Sequence, residues 1–341
     1  MIREPLTRSQ VKAAVERTGD GRLPVIFHKW WGNGLAEAYG ERLTQLAAQY
    51  PDDICTVWYL EPGYDLSPNA NPAYRLGYKD YTTAERHSIG NDAVLLPDWN
   101  ELDRFLQDFP DPNEPGNFLP VEQALAGGDD RYRVGCWWRL FHERLWTIRG
   151  MENLMYDYYD EMENLKRVGE RILDYSKVIV DRYAAYGCDA IFSSDDLGHQ
   201  KGPMMSPDIF RELYLPLYKE LISHVHSKGM RMFLHSCGDN SMLMESLIEA
   251  GLDVFHPVQK GCMDMEETAR RFGDRITFMA GVDVQGLLPN GTPQEVRQEI
   301  ARMKQIFLRR DGGLLLAMGN GIMPGTPLEN IEAALTAICQ Q

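Results

Sequence analysis

His235 and Cys237 stand two residues apart at the end of the apolar run in "MRMFLHSCGD". Residues two apart on a strand point the same way, with Cα atoms about 6.5–7 Å apart. An imidazole and a thiol so placed reach one cation through bonds of about 2.0–2.1 Å to nitrogen and 2.3 Å to sulfur. A soft thiolate beside an imidazole favours zinc over magnesium or calcium. Two donors leave such a site incomplete. A third is available from His256, at the end of the next apolar run, or from Asp195 or Asp196, at the end of the preceding one. Without a metal, Cys237 reads as a small buried hydrophobe and His235 as a pocket residue that hydrogen-bonds a ligand.

The stretch "SSDDLG" sets two carboxylates side by side. Neighbours on a strand face opposite sides, so only one enters a pocket. Asp196, next to the Gly198 turn, is the expected one, as an orienter of His235 or a general acid–base group. Asp195 is then expected to cap a loop or helix. Other apolar runs close with residues suited to ligand contact: His28, Lys29 and Trp30 in "HKWWG", Trp58 in "CTVWYLE", Trp138 in "CWWRLF" and Asn320 in "GNGI". Core packing accounts for many aromatics of this kind. Several at one rim, with a cation such as Arg139, suit a flat or quaternary-ammonium ligand.

These side chains need elements to hold them at a common end. The second half of the chain alternates short apolar runs, "CDAIFSSDD", "MRMFLHSCGD", "LDVFHPVQ", "RITFMAGVD" and "LLLAMGNG", with segments of helical spacing. Short links join them, as in βα units on a parallel sheet. "LPVIFHKWW", "DICTVWYLE" and "YRVGCWW" add strands in the first half, and residues 153–187 read as one long helical segment. The total predicts an α/β fold, a (β/α)8 TIM barrel, with the site at the C-terminal ends of the strands. An open doubly wound sheet fits less well, because no GxGxxG follows the first strand. Residues 1–341 are expected to form a single domain. The stretch 63–117, rich in Pro, Asn, Asp and Gly, reads as an irregular insertion over the barrel.

A chain of 341 residues with 44% hydrophobic residues is normal for one such barrel. Its net charge of −15 repels phosphate backbones and anionic lipid, so neither nucleic acid nor membrane is an expected partner. The N-terminal stretch has no signal-peptide-like apolar core. Six scattered cysteines without a CxxC pair predict reduced thiols and a cytoplasmic location.

The runs "SSDDLGHQKGPMMSPDIFRELYLPLYKELI", "GMRMFLHSCGD", "FMAGVDVQGLLPNGTPQEVRQEI" and "GGLLLAMGNGIMPGTPLENI" resemble the uroporphyrinogen decarboxylase-like superfamily, continuously from about Arg139 onward. That resemblance implies the same barrel. Decarboxylases of the superfamily carry an Arg-rich "RQAGR" where this chain has "HKWWG", an Asp where it has Trp58, and a His where it has Asn320. These departures point away from porphyrinogen decarboxylation. The chain is more similar to the branch of corrinoid-linked methyltransferases, such as methylcobamide:coenzyme M methyltransferases. Those bind zinc through an HxC, matched by His235 and Cys237, and a later Cys, replaced here by Asn320.

The resemblance therefore implies a zinc-assisted methyltransferase. A partner corrinoid protein presents the methyl donor, and a thiol or similar small molecule accepts the methyl group. His235 and Cys237 hold the metal, with His256 as first choice for the missing donor. Asp196 and His235 are the catalytic candidates. His28, Lys29, Trp30, Trp58, Trp138 and Asn320 are the substrate-binding candidates, and a homodimer is consistent with related barrels. Two rival readings are a metal-free decarboxylase, in which Asp196 and His235 move protons, and a non-catalytic barrel that binds corrinoid or tetrapyrrole.

Overall fold

The structure is a computed structural model and describes residues 4–19, 23–26, 31–32, 34–62, 70–71 and 94–340. Eight parallel strands form its central sheet: β1 (Val25–Ile26), β2 (Ile54–Trp58), β3 (Tyr132–Cys136), β4 (Ala190–Ser194), β5 (Arg231–His235), β6 (Val254–His256), β7 (Thr277–Val282) and β8 (Leu314–Met318). Their order is β1-β8-β7-β6-β5-β4-β3-β2. The two edge strands meet through Asp53, which is fully buried. Its N–H donates to Val25 O at 3.1 Å, and its carboxylate accepts from Val25 N at 2.9 Å and from Leu6 N at 2.6 Å. The sheet thereby curls into the α/β barrel read from the sequence.

Alternate residues of the strands fill the barrel. Ile54, Tyr132, Val134, Cys136, Phe192 and Phe233 belong to one buried cluster, with Val254, Met279 and Leu315. Val11 and Val15 of the helix Arg8–Val15, and Leu6 just before it, join the cluster and plug the N-terminal end. Residues of the other parity, such as Ile191, Leu234, Phe255 and Phe278, pack outward against the helices. Both faces of each strand are thus covered, which explains why the runs are apolar throughout rather than alternating.

The long helical segment is two helices, Met151–Asp160 and Met162–Ala185, separated at Glu161 with φ −133°. Asp157 pins the first of them: it accepts from Arg149 Nε at 2.6 Å and from Trp99 Nε1 at 3.1 Å. The second runs on its own line against the helix Leu215–Ser227. Of the 63–117 stretch, residues 94–117 include the helix Leu102–Gln107, with Leu102 and Phe105 buried. Most of the remainder lies outside the described residues, as do His28, Lys29 and Trp30. Among the described residues, no helix is long and apolar enough to cross a membrane.

Candidate metal centre

Extending the inward parity by two residues brings Trp58, Trp138, His235 and His256 to the barrel mouth. The register agrees, since Ser194 pairs with His235 and His235 with His256 across β4, β5 and β6. Beyond the strands, the loops after β4 and β5 cross in close contact. A Cβ on Gly238, whose φ is +82°, would lie 2.2 Å from the Gly198 carbonyl carbon, so only glycine fits there. Asp239 N donates to His199 O at 2.8 Å, Leu197 N to Ser236 Oγ at 3.0 Å, and Cys237 N to Asp196 Oδ1 at 2.7 Å. The Asn240 side-chain amide holds the carbonyls of Ser236 and Cys237 at 3.1 and 3.0 Å. The crossing thus delivers Asp196 to the side chains of the His-x-Cys motif.

His235 Nε2 lies 3.3 Å from Cys237 Sγ and 3.6 Å from Asp196 Oδ1. The three donor atoms all fall within 4.8 Å of one another. Tetrahedral bonds of about 2.0–2.3 Å set donors roughly 3.3–3.8 Å apart, so the spacing suits a zinc-sized ion. Nitrogen, sulfur and oxygen make the mixed set that zinc accepts, and three protein donors leave a fourth position open. Asn320 Nδ2 approaches Cys237 Sγ to 3.6 Å on the exposed side. A small pocket lined by Cys237, Gln259, Asp283, Gln285 and Asn320 opens there.

Burial raises the pKa of the Cys237 thiol, and the Asp196 carboxylate adds to the effect. Burial lowers that of His235, with Asp196 opposing. The pair therefore rests as neutral thiol and neutral imidazole, not as the thiolate–imidazolium pair of a cysteine nucleophile. A bound cation would reverse the balance at sulfur.

His256, the expected third donor, is not in that donor cluster among the described residues. Its Nε2 donates to Met318 O at 3.0 Å and its Nδ1 lies 2.8 Å from His235 Nδ1, so both ring nitrogens are engaged away from Cys237. Asp196, not His256, lies with His235 and Cys237 in the group of side chains that could hold a metal. Asp195 faces the other way and is fully buried. It accepts from the backbone N–H groups of Phe141, His142 and Glu143 and from Tyr218 Oη, at 2.6–3.1 Å. Burial lifts its pKa to about 6 against those donors. Asp195 thereby anchors the start of the helix His142–Arg149.

Trp58 and Trp138 meet edge to face, with centroids 4.9 Å apart, and Trp138 lies 6.1 Å from the His235 ring. The Trp138 peptide is gripped from both sides. Its N–H donates to Glu61, and Arg144 Nη2 donates to its carbonyl at 3.2 Å. Arg144 is fully buried and lies 3.9 Å from Glu61. Glu143 is a site residue that sequence reasoning missed. Its carboxyl accepts from Ser194 Oγ, and burial, with Asp196 and Asp195 nearby, raises its pKa well above the usual range. In the sequence it is one more charged residue at a helix start. The sole clue was its place just after the aromatic strand end.

Residues 145–340 match the uroporphyrinogen decarboxylase (URO-D) family, and the chain belongs to that family. A methylated-thiol–coenzyme M methyltransferase of Methanosarcina mazei is 26% identical over 303 residues, covering 85% of this chain and 74% of that protein. The methylcobamide:CoM methyltransferase MtaA of Methanosarcina barkeri is 28% identical over 173 residues, 49% of this chain and 48% of that one. The solved structure of a methyltransferase from Methanosarcina mazei shares the fold, with a TM-score of 0.66 over 98% of both chains at 17% identity. Within its family the chain is a methyltransferase-like member.

Proposed function

We propose that this protein transfers a methyl group from a corrinoid, presented by a partner protein, to a thiol or similar small acceptor, with zinc held by His235, Cys237 and Asp196. The convergence of those three donors at 3.3 and 3.6 Å carries the reading. When bound there, zinc supplies a Lewis acid that lowers the pKa of the acceptor thiol. The small pocket at Cys237 and Asn320 positions the acceptor on the open side. Trp58 and Trp138 wall the other side with apolar surface and keep water from His235. His28, Lys29 and Trp30 follow β1 in sequence and remain substrate-binding candidates for the same rim. Free cysteines throughout suit a reducing cytoplasm.

The test is anaerobic. Zinc-loaded protein is mixed with methylcobalamin and 2-mercaptoethanol, and loss of the methyl–cobalt absorbance is followed. Zinc-dependent turnover that disappears in Cys237→Ser is the expected result. Equal rates with and without zinc sink the proposal.

A further inference from the structure

His256 carries no ligand role in the reading above, yet it is fully buried and hydrogen-bonded at both ring nitrogens. The partner of Nε2 is a backbone carbonyl, Met318 O at 3.0 Å, which can only accept. His256 therefore carries a proton on Nε2. In a neutral imidazole the other nitrogen is then an acceptor. That nitrogen, Nδ1, lies 2.8 Å from His235 Nδ1, so the proton between the two rings belongs to His235. With Nδ1 protonated, a neutral His235 carries its acceptor lone pair on Nε2. Nε2 is the atom that faces Cys237 Sγ at 3.3 Å and Asp196 Oδ1 at 3.6 Å. The opposite assignment would set two lone pairs against each other at Met318 O and place a proton where a ligand atom is needed.

We infer that His256 is a positioning residue that fixes the tautomer of His235, relaying the Met318 carbonyl of β8 through two imidazoles so that the Nε2 lone pair is directed toward Cys237 and Asp196. The purpose of the relay rests on the metal reading, but the relay itself exists in metal-free protein. It couples the end of β8, which carries Asn320 two residues on, to the donor atom on β5. Outer hydrogen bonds of this kind set ligand orientation and basicity, and their loss typically costs about 10–100-fold in metal affinity.

The experiment uses the full-length chain labelled with ¹⁵N in histidine and stripped of metal. Long-range ¹H–¹⁵N spectra are recorded near neutral pH, with His235 assigned from His235→Gln. The expected signature is a bare Nε2 and a protonated Nδ1. His256→Phe removes the acceptor, and His235 should then show a mixture of tautomers and bind zinc about 10–100-fold more weakly. His256→Asn sets a side-chain oxygen near the place of Nδ1. It should keep the His235 Nδ1 proton and most of the affinity. A wild-type His235 protonated on Nε2 overturns the inference. So does a His256→Phe variant with tautomer and affinity unchanged. Should His256→Phe fail to fold, the wild-type spectrum decides alone. Should the protein bind no zinc, the metal reading falls while the tautomer result still stands or fails by itself.

Discussion

Asn320 Nδ2 lies 3.6 Å from Cys237 Sγ, with its N–H directed at the sulfur. Its own Oδ1 accepts from Gly321 N at 2.7 Å, so the amide oxygen is turned back toward the chain. An amide held this way stabilises a sulfur that carries negative charge, and it does not ligate a metal. In the proposed zinc centre the fourth position would therefore stay open to substrate, as in catalytic rather than structural zinc sites.

Asn320→Cys tests this arrangement. A second thiolate beside Cys237 should tighten zinc by about tenfold or more, while closing the position that the acceptor needs. Competition with a chromophoric chelator should show tighter binding, and the methyl-transfer rate should fall. Unchanged affinity would mean that residue 320 does not face the metal.

Asp196→Asn separates the charge of Asp196 from its structural contact. The amide oxygen can still accept from Cys237 N, so the loop should keep its shape. Zinc affinity should drop by about tenfold or more, with little change in thermal stability. Loss of stability with unchanged affinity would assign Asp196 to the loop alone.

Zinc binding should release about one proton per chain between roughly pH 6.5 and 8. The buried Cys237 thiol enters protonated because its pKa is raised, and it must become a thiolate. His235 enters neutral because its pKa is lowered, so it has no proton to give up. Affinity should therefore rise about tenfold per pH unit across that window. Calorimetry in buffers of different ionisation enthalpy counts the protons, and a count of zero or two contradicts these protonation states.

A separate pH effect belongs to His142. It is fully buried, bonded at Nδ1 to Tyr158 Oη at 2.9 Å and Tyr214 Oη at 3.2 Å, with Nε2 unpartnered among the described residues. Burial lowers its pKa to about 3 from 6.5. The unfolded chain therefore takes up the proton first as pH falls. The contribution is complete above about pH 6.5 and is lost toward pH 3, at about 1.4 kcal/mol per pH unit. Denaturant titrations at pH 6.5 and 4.5 should show a steeper loss in wild type than in His142→Asn. Parallel losses would remove His142 as the cause.

The strand rhythm was legible because both faces of each strand are covered, which leaves dense apolar runs ending at one rim. The His-x-Cys motif was legible for the same reason, since His235 ends such a run. The role of His256 was not. Register alone sets it beside His235, but its partner Met318 O comes from β8, 62 residues away in sequence. Glu143 was hidden similarly, because a helix start folds its carboxyl back onto Ser194. Asp195 and Asp196 could be told apart by strand alternation. That the Asp196 loop reaches Cys237 depends on the contact of Gly198 with Gly238, which no periodicity reveals.

The most direct test of the metal centre is X-ray absorption at the zinc edge on protein loaded with zinc and freed of excess. One zinc per chain is expected, with a single sulfur at about 2.3 Å and nitrogen or oxygen donors at about 2.0–2.2 Å. In Cys237→Ser the sulfur shell should vanish. A wild-type chain that takes up no zinc, or holds it without sulfur, contradicts a centre built on His235, Cys237 and Asp196.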